Sequence, residues 1–172
     1  MPVEIGIISD THGFFDPRLP KIFKSVDEIW HAGDFGGGGV AEKLKAIKPM
    51  RGVFGNIDTG DIRSEFPEDL FFELEGVKIW MTHIAGRPRR YDPRVKKILS
   101  GGDVPDLLVC GHSHMLRIEQ DKQFKGLQTI NPGAAGHHGF HQVLTLLKCT
   151  IDSGQVKNIR VIELGPRGRK KA

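Results

Sequence analysis

Cysteine is scarce in this chain. Only Cys110 and Cys149 occur in 172 residues, far apart and each among apolar neighbours. That excludes a disulfide framework. Without a CxxC pair it also argues against a zinc ribbon or a redox centre, so both thiols are expected to be reduced core residues in a reducing compartment. No apolar run approaches the roughly 20 residues that cross a bilayer, so no membrane partner is expected. The opening Met1-Pro2-Val3-Glu4-Ile5 lacks a basic n-region followed by an apolar h-region. No signal peptide is therefore expected, and the expected location is cytoplasmic. Internal repeats, low-complexity segments and linkers are also missing. Charge of one sign is in short supply too: the net charge is only +4. Arg167, Arg169, Lys170 and Lys171, with no acid between Gly165 and Ala172, account for all of that excess. A nucleic-acid-binding domain usually spreads its positive charge over a face. Residues 165–172 are therefore expected to be a solvated, disordered tail, with a nucleic-acid-binding arm as the disfavoured alternative. Residues 1–164 suffice for one domain with its own core.

Strand and helix patterns alternate through the first two-thirds. Val3 to Ile8 is β-branched and stops at Ser9-Asp10. Asp16-Pro17 predicts a helix start, an aspartate cap before proline at the first helical position, with the helix running to about Lys24. Glu28–His31 and Arg51–Phe54 read as strands. Val40 to Lys48 reads as a helix with Val40, Leu44 and Ile47 on one face. Gly55 to Phe66 reads as a long polar loop. Glu75-Gly76 sits between two strand-like runs and predicts a hairpin, as does Asp152-Ser153-Gly154. Asp92-Pro93 predicts a second capped helix to about Leu99, and Leu107–Cys110 a buried strand. Alternating βα units followed by hairpins imply two sheets packed together with helices outside.

The acids and histidines fall just after the strands. Asp10 and His12 follow the first, Asp34 the second, Asn56 the third, His83 the hairpin strand, and His112 and His114 the Leu107–Cys110 strand. Loops at the carboxyl ends of strands form the crevice where α/β sheets bind ligands. Aspartate, asparagine and histidine together offer oxygen and imidazole ligands, a mixture that suits manganese, iron, zinc or nickel better than magnesium or calcium. Seven such residues exceed one tetrahedral site but suit two ions with a carboxylate between them. Such a pair clamps phosphoryl oxygens and activates water. Gly33, Gly55 and Gly111 each precede a candidate ligand and permit close backbone approach.

Each fragment alone is ordinary, but their order is not. Asp10-Thr11-His12, Gly33-Asp34, Gly55-Asn56, His83 and Gly111-His112-Ser113-His114 together resemble the calcineurin-like metallophosphoesterase superfamily. The small size and Asn131-Pro132-Gly133 resemble its compact bacterial and archaeal phosphodiesterase branch. The resemblance spans about Val3 to Leu164. It implies a four-layer α/β/β/α sandwich of two mixed β-sheets flanked by helices. It also implies two divalent metal ions, manganese first with nickel, zinc or iron as alternatives. Asp10, His12 and His114 would hold the first ion, and Asn56, His83 and His112 the second, with Asp34 bridging them. The implied chemistry is hydrolysis of a small-molecule phosphate ester, most readily a phosphodiester, by a metal-bridging hydroxide. Asp34, Asn56 and His83 are the implied catalytic residues.

Two positions depart from that pattern. Many members carry a histidine after Gly-Asn that serves the leaving group; here it is Ile57, followed by Asp58. Slow turnover and a preference for good leaving groups are expected as a result. Where a serine commonly follows Asn-Pro-Gly, this chain has Ala134. Asn56, Arg87 and His137 are the candidate substrate contacts. Arg89 and Arg90 share the basic loop with Arg87, and guanidinium forks suit phosphate. His138 and His141 share the histidine cluster with His137 and could supply a proton. Phe14 and Phe15 are expected to pack the Asp10 loop rather than stack on a base. Phe66, Leu70, Phe71 and Phe72 are open between core and a homo-oligomer interface. The competing function is a non-catalytic scaffold of the same fold, as a retromer subunit uses it through protein contacts. The complete ligand set argues for catalysis.

Overall fold

The computed structural model describes residues 1–168. In chain order the elements are β1 (Val3–Ile8), α1 (Leu19–Ile22) continued by a 3-10 turn, β2 (Glu28–His31), α2 (Val40–Lys45), β3 (Met50–Gly52), α3 (Gly60–Glu65), β4 (Asp69–Leu74) and β5 (Val77–Thr82). They continue with β6 (Gly86–Arg87), β7 (Arg90–Tyr91), α4 (Pro93–Leu99), β8 (Leu107–Val109), β9 (Leu116–Gln120), β10 (Gln128–Pro132), β11 (Val143–Asp152) and β12 (Gln155–Pro166).

Two mixed five-stranded sheets result, ordered β12-β11-β1-β2-β3 and β4-β5-β8-β10-β9, with β6-β7 a separate small hairpin. In the first sheet β1, β2 and β3 are parallel, and Ile8, His31 and Gly52 lie level. In the second, β5, β8 and β10 are parallel, with Met81, Val109 and Ile130 level. Each set of loops therefore leaves its sheet at one height.

Alternation along the strands builds three apolar layers. Ile5, Ile7, Ile79, Met81, Leu107, Val109, Leu147 and Cys149 fill the space between the sheets. Ile8, Phe23, Val40 and Leu44 join the first sheet to α1 and α2 outside it. Trp80, Leu108 and Cys110 meet Val95 and Leu99 of α4 outside the second. This is the expected four-layer α/β/β/α sandwich. Burial pushes both cysteine thiols up to about 12, which keeps them protonated and inert. Among the described residues no helix is long and apolar enough to cross a membrane.

Three local expectations need correction. The first helix starts at Leu19, not beside Asp16, because Pro20 lacks an N–H and must sit in the first turn. Asp16 instead accepts the backbone N–H of Arg18 and pairs with its guanidinium. The segment read as a polar loop contains α3, which carries no fully buried residue and so leaves little apolar signal. The domain boundary placed after Leu164 falls inside β12. Gly165 and Pro166 pair with Leu144 and Val143 on this edge strand, where proline is tolerated, and Arg167 N–H donates to Gln142 O. The remainder of the expected tail, 169–172, lies outside the described residues. The four residues left open between core and interface divide. Phe66 is buried, Leu70 and Phe72 pack on the inter-sheet core, and Phe71 is exposed and stacked on Trp80.

Candidate metal centre

The level strand ends bring all seven candidate ligands together. On one side Asp10 Oδ1 lies 3.2 Å from His114 Nε2 and 3.9 Å from His12 Nε2. On the other, Asn56 Oδ1 lies 3.1 Å from His83 Nε2 and 3.0 Å from His112 Nδ1. Asp34 Oδ2 stands between the groups, 3.5 Å from His12 Nε2 and 3.2 Å from His83 Nε2. Asp10, His12 and His114 form one set able to hold a cation, and Asp34, His83 and His112 a second.

Each carboxylate divides its work. Asp10 Oδ2 accepts the Ser9 hydroxyl and the His112 N–H, leaving Oδ1 for the centre. Asp34 Oδ1 accepts the Ile57 N–H, leaving Oδ2. His83 Nδ1–H donates to Ala32 O at 2.7 Å. A carbonyl can only accept, so Nδ1 carries the proton and Nε2 presents its lone pair inward, the arrangement of a metal-ligating histidine.

Two of these atoms test the fit of a cation. Asp10 Oδ1 and His12 Nε2 are buried and have no hydrogen-bond partner among the described residues. Buried polar atoms without partners are costly, and a divalent ion would satisfy both. The mixed nitrogen and oxygen set matches borderline divalent metals. The residues present therefore fit a metal pair.

The charges are arranged to keep the site anionic. Burial alone would raise the Asp10 carboxyl, but His114, His83 and Ser9 outweigh it and hold it below the ordinary carboxylate value. Burial would likewise raise Asp34; the His83 hydrogen bond and charge, with the Ile57 N–H, bring it down. His83 is the converse case, since burial lowers it while Asp34 and Asp10 lift it above its ordinary value. Burial depresses His12 and His112 and favours their neutral, ligating forms.

The backbone around the site is unusual. Asp10, His12, Asp34, His112 and His114 all have positive φ, between 45° and 74°. Non-glycine residues rarely sit there, and such conformations gather at functional sites. Two glycines make room for them. A Cβ on Gly33, at φ 101°, would lie 2.5 Å from His83 Nδ1, and one on Gly55 would lie 2.0 Å from Asp34 Oδ1.

Two supporting residues carry no motif signal. Asp58, buried behind Asn56, accepts the N–H groups of Phe35, Gly36 and Gly55 and so ties the β2 loop to the β3 loop. Three backbone donors on one carboxylate cannot be read from spacing. His31, at the end of β2, is fully buried and stacked on Phe35. Its Nδ1 accepts the Gly33 N–H, so Nε2–H donates to Thr11 Oγ1, whose hydroxyl donates to Phe35 O. Burial lowers its pKa to about 3. Its position one residue before Ala32-Gly33-Asp34 was the available clue.

A cavity of about 570 Å³ opens over Asp34 and Asn56, lined also by Ile57, Met115, His138 and His141. His137 lines an adjoining cavity that shares His12 and His138 with this one; its Nδ1 bonds to the carbonyl of Arg167 and its ring meets Phe14 edge-on. The neighbouring His138 lies against His12 instead, with ring centroids 4.8 Å apart. Phe14 is half-buried against the outer core and Phe15 packs there too, as expected. Arg87 lines a separate cavity that shares His112 and Ser113 with the first.

Residues 3–154 match the calcineurin-like phosphoesterase superfamily domain. A probable metallophosphoesterase from Methanothermobacter thermautotrophicus is 30% identical over 137 residues, 76% of each chain. Another from Methanocaldococcus jannaschii is 32% identical over 137 residues, 76% of this chain and 67% of that one. In fold the chain is similar to Vps29 from Entamoeba histolytica, solved with Zn2+, with a TM-score of 0.70 at 15% identity over 96% of this chain and 99% of that one.

Proposed function

Starting from the fact that the chain belongs to the calcineurin-like phosphoesterase superfamily, we propose that it is a dinuclear metal-dependent phosphodiesterase. The observation that carries this reading is the position of Asp34 Oδ2 between two three-residue ligand groups. Asp10, His12 and His114 would hold one divalent ion; Asn56, His83 and His112 the other; Asp34 would contact both. Bound there, two ions supply Lewis-acid charge for the phosphoryl oxygens and for the activation of water.

The chain's own groups do the rest. Asn56 and Asp34 line the cavity at the strand ends; the Asn56 amide can donate to a phosphoryl oxygen, and Asp34 would hold the ions beneath it. Hydrolysis adds a water oxygen to phosphorus and breaks one ester P–O bond, and the leaving oxygen takes up a proton. His138, which lines the same cavity and lies against His12, is placed to supply that proton where Ile57 cannot. Manganese is the favoured metal, with nickel, zinc and iron as alternatives, on the chemistry of the donors. The scaffold reading rests on the shared fold with Vps29; the complete ligand set favours catalysis.

The test is hydrolysis of bis(p-nitrophenyl) phosphate by protein loaded separately with manganese, nickel, zinc or magnesium. Activity is expected with the first three, and Asp34→Ala is expected to lower it at least about 10²-fold because it removes the shared ligand. No hydrolysis under any metal, or an active Asp34→Ala protein, overturns the reading.

A further inference from the structure

Beside the candidate metal centre lies a second cavity of about 660 Å³, lined by Arg87, Arg90 and Arg117 together with His112 and Ser113. Arg87 and Arg90 face each other in the β6-β7 register. Like charges directly opposite one another on a hairpin repel. Arg117 comes from β9, a different strand, and is half-buried. Among the described residues none of the three has a carboxylate within 4 Å, whereas Arg18, Arg51, Arg94 and Arg160 each have one. The acid in the cavity wall, Asp92, spends Oδ1 on the Arg94 N–H as the cap of α4.

The hairpin is anchored rather than free-standing. Asp92 N–H donates to Ala85 O at its base, and α4 begins immediately after it. Arg87, Arg90 and Arg117 thus line a space that shares His112, Ser113 and Met115 with the cavity over Asp34. An anion that entered would relieve the repulsion and meet planar donors suited to phosphate oxygens.

We propose that Arg87, Arg90 and Arg117 form a subsite for a second phosphate group, so that the preferred substrate is a phosphodiester carrying another phosphate on the far side of the scissile bond. This rests on the phosphodiesterase reading and narrows it to diesters that carry a second phosphate. Uncharged-arm diesters reach the centre but leave the arginine cavity without an anion.

Two chromogenic substrates with one leaving group separate the ideas: thymidine 5′-(p-nitrophenyl phosphate) and the same compound phosphorylated at the 3′ hydroxyl. The native protein is expected to prefer the 3′-phosphorylated compound by about tenfold or more in kcat/KM, mainly through KM, given the strength of charge-assisted contacts. In Arg87→Ala/Arg117→Ala that preference is expected to fall to about one, and Arg87→Lys/Arg117→Lys is expected to retain part of it. Calorimetry with inorganic tripolyphosphate on chelator-treated protein reads the subsite without turnover; binding is expected in the native chain and lost in the double alanine variant. An equal rate on both compounds, or tripolyphosphate binding unchanged by the alanines, overturns the subsite while leaving the phosphodiesterase reading intact. Absence of hydrolysis of either compound counts against the phosphodiesterase reading, and calorimetry then decides the subsite by itself.

Discussion

Ile57 sets the chemistry that this site lacks. Its side chain is 42% exposed and lines the cavity over Asp34, while its backbone N–H is fixed on Asp34 Oδ1. A histidine there could protonate a leaving alkoxide, and such transfer contributes about 10²–10⁴-fold. Ile57→His keeps the backbone contact. It is expected to raise the rate on a methyl phosphodiester by about tenfold or more, with little change for p-nitrophenolate, which departs without a proton. An unchanged ratio of the two rates counts against this account. His31 adds a pH dependence to stability. Its folded pKa is about 3 against an ordinary 6.5. The unfolded chain binds the proton that the folded chain refuses, so this contribution to stability is present above about 6.5 and is lost as pH falls from 6.5 toward 3. Metal-free protein is therefore expected to lose urea resistance over that window. His31→Gln should be weaker at pH 7, having lost the stacked, hydrogen-bonded ring, but flatter between pH 6.5 and 4. A variant with the native slope assigns the pH dependence to other groups.

Among the elements, the loops do more than the helices. The loop after β2 carries Asp34 and the loop after β3 carries Asn56, and Asp58 binds three of their N–H groups at 2.8–3.2 Å. Asp58→Ala strands those donors in a buried place. It is expected to cost about 3 kcal/mol or more of unfolding free energy and to weaken metal binding at Asp34. Native stability by urea titration is the result that denies Asp58 this role. The same loops show what the chain's residue types can reveal. Asp10, His12, Asp34, Asn56, His83, His112 and His114 are visible because oxygen and imidazole ligands follow strand after strand at Gly-Asp, Gly-Asn and Gly-His turns. The left-handed backbone of five of them is invisible, because aspartate and histidine do not ordinarily announce positive φ as glycine does. Asp58 and His31 escape for another reason, since their partners are backbone groups from distant turns. The helix α3 escapes because only Ile62 and Phe66 mark its inner side. His137 and His138 are adjacent in sequence, yet one turns to Arg167 and the other to His12; no spacing rule separates neighbours in a loop.

At the scale of the whole molecule, the sandwich carries a charged, incompletely hydrogen-bonded centre at the carboxyl ends of its strands, and a bound metal should stabilise the entire fold. Ligand that binds only the folded state adds about 2.7 kcal/mol at a free concentration 100-fold above its Kd. In a domain of this size each kcal/mol moves Tm by about 2–4 °C, so manganese is expected to raise Tm by about 5–10 °C. The rise must depend on pH, and the geometry gives its sign. In the metal-free protein Asp34 and Asp10 lift the His83 pKa above its ordinary 6.5. Because Nδ1–H is committed to Ala32 O, the added proton sits on Nε2, the atom that faces the centre. A metal must displace that proton, so its apparent affinity falls as pH drops below the raised value, by about tenfold per pH unit for one proton displaced. The manganese-induced rise in Tm should therefore be largest near pH 8 and shrink steadily toward pH 6. In His83→Gln, where no proton competes at that atom, the rise should be smaller but less dependent on pH. A rise of equal size at pH 6 and pH 8 in the native protein would place the stabilising ion away from His83, on surface carboxylates that are already ionised across the range.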